Sequence, residues 1–139
     1  MKILIVSKGN NGKASTFVKE QVDAIILLGH TVEYFFINRG GVFGYLLRLF
    51  PLIRKINQFK PDIIHAHYGL SGFLANLQRK IPVITTYHGS DINIPRILIF
   101  SKMSIRLSAY NIFVSQKNID TAKCMDCMPE LWARYRNTK

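Results

Sequence analysis

Residues 1–123 predict an α/β domain: an open, doubly wound, mainly parallel sheet of Rossmann-like type, with about five strands and helices on both faces. Three observations lead there. Short β-rich runs alternate with longer segments of helical period. Several of the short runs are continuously apolar, as in Ile3-Leu4-Ile5-Val6, which suits strands buried on both faces of a parallel sheet. The chemically distinctive residues fall just after the strands, where open α/β sheets bind their ligands.

The strand candidates are residues 2–7, 31–37, 62–67, 83–87 and 111–115. The first helical pattern, residues 15–28, carries Val18, Val22 and Ile25 along one face, and Gly29 is placed to end it in a left-handed cap. The second, residues 43–59, carries Leu46, Leu49, Phe50, Ile53 and Ile56 at three- and four-residue spacing. Pro51 should kink or restart it, because proline lacks an amide donor and clashes with the preceding turn. A third helix starts near Ser71 and stops before Pro82. A fourth begins near Asn93 and Pro95, a polar cap followed by a first-turn proline. Residues 115–123 read as helical. With right-handed crossovers, these elements wind into one sheet.

Residues 124–139 form a terminal segment that shows no strand pattern and no second domain. It holds Trp132 and a lone CxxC, Cys124 and Cys127. A zinc site needs further ligands, and the segment has no histidine, so the pair reads as reduced thiols.

A length of 139 residues suits one domain, and 48% hydrophobic residues supply a core while arguing against disorder. No apolar run approaches the roughly 20 residues that span a bilayer. The apolar run at residues 3–6 is too short for the h-region of a secretory signal, so the expectation is a cytoplasmic protein. The formal charge of +11 predicts attraction to something anionic: nucleic acid, a membrane surface or a phosphorylated substrate. Lys and Arg are scattered without a block of five like charges, which argues against a nucleic-acid-binding tail. Between Arg39 and Lys60 lie Arg48, Arg54 and Lys55 and no acidic residue. Such a basic amphipathic stretch fits peripheral contact with an anionic membrane at the inner face of the plasma membrane. A crossover helix that packs its apolar face on the sheet with its charges solvated accounts for the stretch better.

Three strand ends carry chemistry. The first runs into Lys8-Gly9-Asn10-Asn11-Gly12-Lys13, where glycines let a ligand approach the backbone and a helix N-terminus offers amides to phosphate. A plain βα turn uses the same residues. The loop is neither a GxGxxG fingerprint nor a Walker A motif. The third strand ends in His65-Ala66-His67-Tyr68-Gly69, with both histidines on one face. No carboxylate or thiol stands nearby to complete a metal set, and a hydrogen-bonded structural role is the alternative. The fourth ends in Tyr87-His88-Gly89-Ser90-Asp91, which joins an imidazole, a flexible glycine, a hydroxyl and a carboxylate at a strand-to-helix turn. Asp91 also suits a helix cap.

The segments Lys60-Pro61-Asp62-Ile63-Ile64-His65-Ala66-His67 and Pro82-Val83-Ile84-Thr85-Thr86-Tyr87-His88-Gly89-Ser90-Asp91 resemble the "KPDIIHAH" and "PVITTYHGSD" stretches of family-4-type retaining glycosyltransferases. Asn111-Ile112-Phe113-Val114-Ser115 is similar to the family's next strand, and Phe17-Val18-Lys19-Glu20-Gln21 and Gly29-His30-Thr31-Val32 resemble its opening. The resemblance covers roughly residues 1–120. It implies the N-terminal, acceptor-side half of a two-domain GT-B enzyme that moves a sugar from a nucleotide-sugar donor to a glycan or lipid-linked acceptor, as in cell-envelope polysaccharide biosynthesis. Under it, Gly9 and Gly12 match the loop near the donor phosphates, with Asn10 between them. His88 matches the histidine beside the transferred sugar and is the catalytic candidate, and Asp91 falls in the acceptor-side loop. His67, Tyr68 and Ser90 complete the substrate-binding set. The resemblance implies no bound metal or cofactor. It also implies that most donor contacts belong to a C-terminal domain, whose glutamate motif has no counterpart after Ser115, so the isolated chain is expected to be inactive. The alternatives are a non-catalytic Rossmann-like binding or docking module and, behind it, a nucleic-acid binder.

Overall fold

The computed structural model describes residues 1–9, 12–38, 40–90 and 94–123. The expectations for Asn10, Asp91, the Asn93 cap, the CxxC pair and the terminal segment fall outside these residues. Five strands, β1 (Lys2–Lys8), β2 (Thr31–Ile37), β3 (Ile63–His67), β4 (Val83–Tyr87) and β5 (Tyr110–Phe113), pair in parallel in the order β2-β1-β3-β4-β5. From β1 the chain steps out to β2 and then returns to the far side of β1 as β3. The strand order therefore reverses at β1/β3, which makes the carboxyl ends of these strands the expected ligand crevice.

Parallel strands need crossovers, and alternation of side chains assigns each helix to a face. Ile3 and Ile5 point to one face, where Val18 and Val22 of α1 (Thr16–Leu27) cover them. Leu4, Val6, Ile64, Ala66 and Val83 point to the other, beneath α2 (Gly41–Leu46), α3 (Leu49–Phe59), α4 (Gly69–Asn76) and α5 (Pro95–Leu107). The last helix, α6 (Gln116–Lys123), follows β5. Helix α1 stops as predicted, with Gly29 at φ 83°.

The predicted helix over residues 43–59 is two helices, with a turn at Leu47 and Arg48. Proline is the cause: in an unbroken helix Pro51 would leave the Leu47 carbonyl without a donor. Restarting at Leu49 puts Pro51 in a first turn, where no donor is missed. Arg48 anchors the junction, its guanidinium 5.1 Å from the Phe35 ring and donating to the Phe36 carbonyl at 3.3 Å. The buried face of this pair is Tyr45, Leu52, Ile56 and Phe59, while Phe43 (74% exposed) and Phe50 (81%) face outward. The expected apolar stripe is thus rotated, leaving Phe50 outside it.

Helix α4 starts two residues before its expected position, and all eight of its residues are buried. Its end is set by Arg79 at φ 58°, and Gln78 secures the turn by accepting from the Lys80 and Ile81 amides, each at 2.8 Å. Gly69 and Gly72 lie one turn apart and meet Ser101 and Ser104 of α5 across a contact too tight for a methyl group. A Cβ on Gly72 would stand 2.2 Å from Ser104 Oγ and 2.6 Å from Thr85 Cγ2. Beside this seam runs a buried polar chain. Asn76 Nδ2 donates to Ser108 Oγ (2.9 Å), which lies 2.8 Å from Thr85 Oγ1. The Tyr87 hydroxyl lies 3.0 Å from both Ser104 Oγ and Asn111 Oδ1. Mutual satisfaction removes the penalty these groups would otherwise incur on burial.

Alanine at Gly72 should gain up to about 1 kcal/mol in helix propensity but lose more to the clash, for a net destabilisation of about 1–3 kcal/mol. Urea unfolding of Gly72→Ala will measure it, and Ser104→Ala in the same chain should recover part of the loss. An unchanged midpoint in Gly72→Ala would show that the α4–α5 seam is looser than described.

Candidate functional site

The carboxyl ends of β1, β3 and β4 bring most of the predicted residues to one edge of the sheet. Gly9 follows β1 and turns against the end of β2: its amide donates to the Ile37 carbonyl at 3.4 Å. A Cβ there would stand 2.7 Å from Asn38 Oδ1 and 2.8 Å from Phe36 Cβ. The sheet itself therefore requires glycine at this position. Gly12 has φ 75° with open space around it, so its requirement is conformational.

His65 and His67 point to the α1 face, opposite Ile64 and Ala66, and both are buried. Their rings stack at 4.5 Å. His65 Nε2 bonds Thr86 Oγ1 at 2.9 Å on the neighbouring strand. His67 Nδ1 lies 3.3 Å from His88 Nε2, so three imidazoles form a row that climbs from the buried sheet to the half-buried His88. His88 is flanked by Phe17 of α1, with ring centroids 4.4 Å apart, and by Tyr68 at 4.7 Å. Gly89 has φ 98° and a Cβ there would meet Asn118 at 3.2 Å, so the turn after His88 is held against α6.

Burial, reinforced by the neighbouring imidazoles, keeps His65 and His67 neutral. His65 is pushed down to about 4, by burial first and His88 second. His67 is pushed down to about 3 by burial and by His65 and His88. Among the described residues, two buried polar atoms on these strands, His67 Nε2 and Ser7 Oγ, have no hydrogen-bond partner. No group of three or more metal-ligating side chains converges among the described residues.

Tyr68 begins α4 with φ 74° and ψ 145°, a left-handed conformation rare for a side chain of its size. Its ring contributes to a cleft of about 640 Å³ on the face opposite α1. Lys8, Gly41 and Tyr45 line this cleft with Tyr68, Ser90 and Ile97. Lys8 and Ser90 are exposed at its rim, whereas Tyr45 is buried. His67, His88 and the cleft thus meet through Tyr68, and Ser90 stands two residues from His88.

Three contributors escaped the sequence reading. Phe17 was visible only as one residue of a family-like stretch, and nothing in its spacing marks a ring against His88. Tyr45 reads as part of an apolar helix, and its place in the cleft depends on the restart at Leu49. Thr86 stands in the quoted fourth-strand motif, but its bond to His65 depends on the adjacency and register of β3 and β4.

The sequence profile of Glycosyltransferase Family 4 matches residues 6–125. Among solved structures, UDP-N-acetylglucosamine 2-epimerase from Rickettsia bellii is similar to this chain with a TM-score of 0.58 and 15% identity, over 99% of this chain and 48% of that one. UDP-GlcNAc 2-epimerase from Methanocaldococcus jannaschii gives a TM-score of 0.55 and 13% identity, over 91% of this chain and 43% of that one. The chain therefore spans less than half the length of either structure, and at these identities the likeness is one of fold. No curated protein sequence matches.

The neutral histidines make stability depend on pH in a definite direction. Unfolded imidazoles titrate near 6.5, whereas His65 and His67 do so at about 4 and about 3 when folded. Between these values the unfolded chain binds more protons. The stability they contribute is complete above about pH 6.5 and is lost as pH falls, by up to about 1.4 kcal/mol per pH unit for each histidine. Urea midpoints measured from about pH 7 to about pH 4 should fall accordingly, and less steeply in His67→Asn; parallel curves for the two proteins would contradict the assignment.

Proposed function

The chain belongs to Glycosyltransferase Family 4, and from that premise we propose that it is the acceptor-side domain of an enzyme transferring a sugar from a nucleotide-sugar donor to a glycan or lipid-linked acceptor. The observation that carries the reading is the convergence of the cleft, the His88 imidazole and the glycine loop after β1 on the carboxyl edge of the sheet, at the β1/β3 switch point. Gly9 and Gly12 border the donor phosphates, with Asn10 in the same loop. His88 contacts the transferred sugar, supported by His67, and Tyr68, Ser90 and Asp91 contact the acceptor.

Retaining transfer requires the acceptor hydroxyl beside the departing diphosphate, with fixed dipoles and cations opposite the developing charge. In this proposal the cleft does the positioning. Its apolar walls, Val42, Tyr45, Leu70 and Ile97, suit an acceptor with an apolar portion, and Lys8 at the rim suits an anionic group on it. Most donor contacts come from a second Rossmann-like domain, either separately encoded or part of a longer polypeptide. Cell-envelope polysaccharide biosynthesis is the setting we infer, on the cytoplasmic side.

A membrane-surface contact belongs to the same reading. Among the described residues no helix is long and apolar enough to cross a bilayer. The α2–α3 corner exposes Phe43, Leu46, Leu47 and Phe50, and Arg54 lies one turn beyond Phe50 on an exposed helical face. Apolar side chains beside cations, on a chain of formal charge +11, match an anionic lipid surface.

Calorimetric titration of the purified chain with nucleotide sugars and nucleoside diphosphates tests the site. Measurable binding is expected, weakened about tenfold or more in His88→Ala, as for loss of a buried hydrogen-bonding contact. Binding that is indifferent to His88→Ala would remove His88 from the site, and sugar transfer by the chain alone would overturn the need for a second domain. Co-sedimentation with phosphatidylserine vesicles tests the surface. Binding should fall with salt, and by about tenfold for each of Phe43→Ser and Phe50→Ser. Equal recovery on neutral vesicles would argue against it.

A further inference from the structure

We propose that the cleft seats a membrane lipid with a phosphate-type head, taken in sideways from the bilayer over α2, so that the acceptor of this domain is a lipid-linked one. The inference deepens the acceptor-side reading of the cleft and rests on it for the role of acceptor. The lipid seat itself stands on the geometry and lining of the cleft.

One short helix builds both the cleft and the exposed apolar corner. Val42 and Tyr45, three residues apart on α2, line the cleft. Phe43 and Leu46 each follow one of them by a single residue, about 100° further round the helix. Both are exposed, as are Leu47 and Phe50 beyond them. The outward apolar face is therefore the next face of the helix that walls the cleft. With that face against a bilayer, the wall of the cleft stands at the bilayer surface, and a lipid reaches it by lateral movement without crossing water. On the α5 side, Ile94 is exposed and lines the cleft, and Ile97 lines it one turn further on. Apolar side chains thus stand on both sides of the opening.

The lining separates a lipid from a soluble glycan. Among the described residues that line the cleft there is no carboxylate and no carboxamide, and Val42, Leu70, Ile94 and Ile97 present only carbon. A sugar hydroxyl buried against them would lose its hydrogen bonds to water without replacement, a cost that several hydroxyls would multiply. A hydrocarbon chain gains from the same burial.

Charge places the head. The Lys8 ammonium is exposed at the rim, where an anionic head lies once its chain follows the apolar walls. The formal charge of +11 draws anionic amphiphiles to the surface of the chain. A volume of about 640 Å³ suits a drug-sized fragment. The cleft therefore takes the head and the first part of the chain, and the rest of a long lipid stays in the bilayer.

Methyl ¹H–¹³C spectra of the full chain, titrated with decyl phosphate below its micelle concentration, test the seat. Decyl phosphate is expected to shift the methyls of Val42, Leu70 and Ile97. Inorganic phosphate, which lacks the chain, should bind at least tenfold more weakly, since about two buried methylenes are worth that factor. Lys8→Glu should weaken decyl phosphate by about fivefold or more and leave decyl maltoside, whose head is uncharged, unaffected. Maltotetraose shifting the same methyls at a lower concentration than decyl phosphate overturns the proposal in favour of a soluble glycan. Decyl phosphate shifts confined to residues outside the cleft overturn it as well. Dihexanoyl phosphatidylglycerol bound as tightly as decyl phosphate would make the cleft a seat for bulk phospholipid and overturn the acceptor assignment. Decyl phosphate seated in the cleft of a chain that binds no nucleotide sugar leaves the lipid seat standing and fails the glycosyltransferase reading. Nucleotide-sugar binding without a response to decyl phosphate fails the lipid seat alone.

Discussion

The closeness of α4 and α5 is the constraint on which the carboxyl edge of the sheet depends. Gly69 and Gly72 let α5 come in until Ser101 and Ser104 touch α4, and no other residue type leaves that space. Ser104 and Ser108 then reach Thr85 and Tyr87 on β4, and Asn111 on β5 reaches Tyr87 as well as the Ile105 carbonyl. Two strands and two helices are thus joined by polar groups that satisfy one another. His88 is the next residue after Tyr87, so the register of this seam sets where its ring stands. A core held only by apolar contact would tolerate small shifts, because dispersion falls off gradually; hydrogen bonds of fixed length and angle tolerate far less.

On the other face the sheet carries the histidine row, and its charge state follows from burial. A chain with formal charge +11 already repels further positive charge, and burying an imidazolium adds a desolvation cost. Neutrality of His65 and His67 answers both. Among the described residues that line the cleft, Lys8 carries the positive charge, exposed at the rim, where water reduces its cost and an anionic ligand can reach it. The edge therefore combines a neutral, buried interior with a charged approach.

Much of this was legible before any coordinates. Continuous apolar runs gave parallel strands, and Gly29, Pro51 and the Tyr87-His88-Gly89 turn each forced a local outcome that the fold respects. The strand boundaries differ by a residue or two, at Lys8, Ile63 and Phe113, because strand ends depend on neighbours more than on composition. The stacking of His65 on His67 follows from alternation. Its continuation to His88 does not, because that requires knowing that β3 and β4 are adjacent and in which register. Phe17 and Tyr45 were hidden for a related reason: each reaches the site from a helix whose rotation is set by tertiary packing. The outward turn of Phe50 belongs to the same class, since period alone leaves the phase of an apolar stripe uncertain when aromatic residues lie on two sides.

Tyr68 joins the two faces, and its backbone shows what the junction costs. His67 points toward α1, whereas α4 must begin over the opposite face, so the chain has one residue in which to turn. It does so at φ 74° and ψ 145°, a region that glycine enters freely and a tyrosine enters at about 1–3 kcal/mol. Glycine follows immediately at position 69, but it is already committed to the Ser101 contact. Moving the left-handed turn there would pull α4 off α5. Placing glycine at position 68 would relieve the strain but delete the ring that lies 4.7 Å from His88 and lines the cleft. Strain at Tyr68 is thus the consequence of asking one residue to reverse the chain, flank the imidazole and wall the cleft, and the dense α4–α5 seam is what keeps it in place.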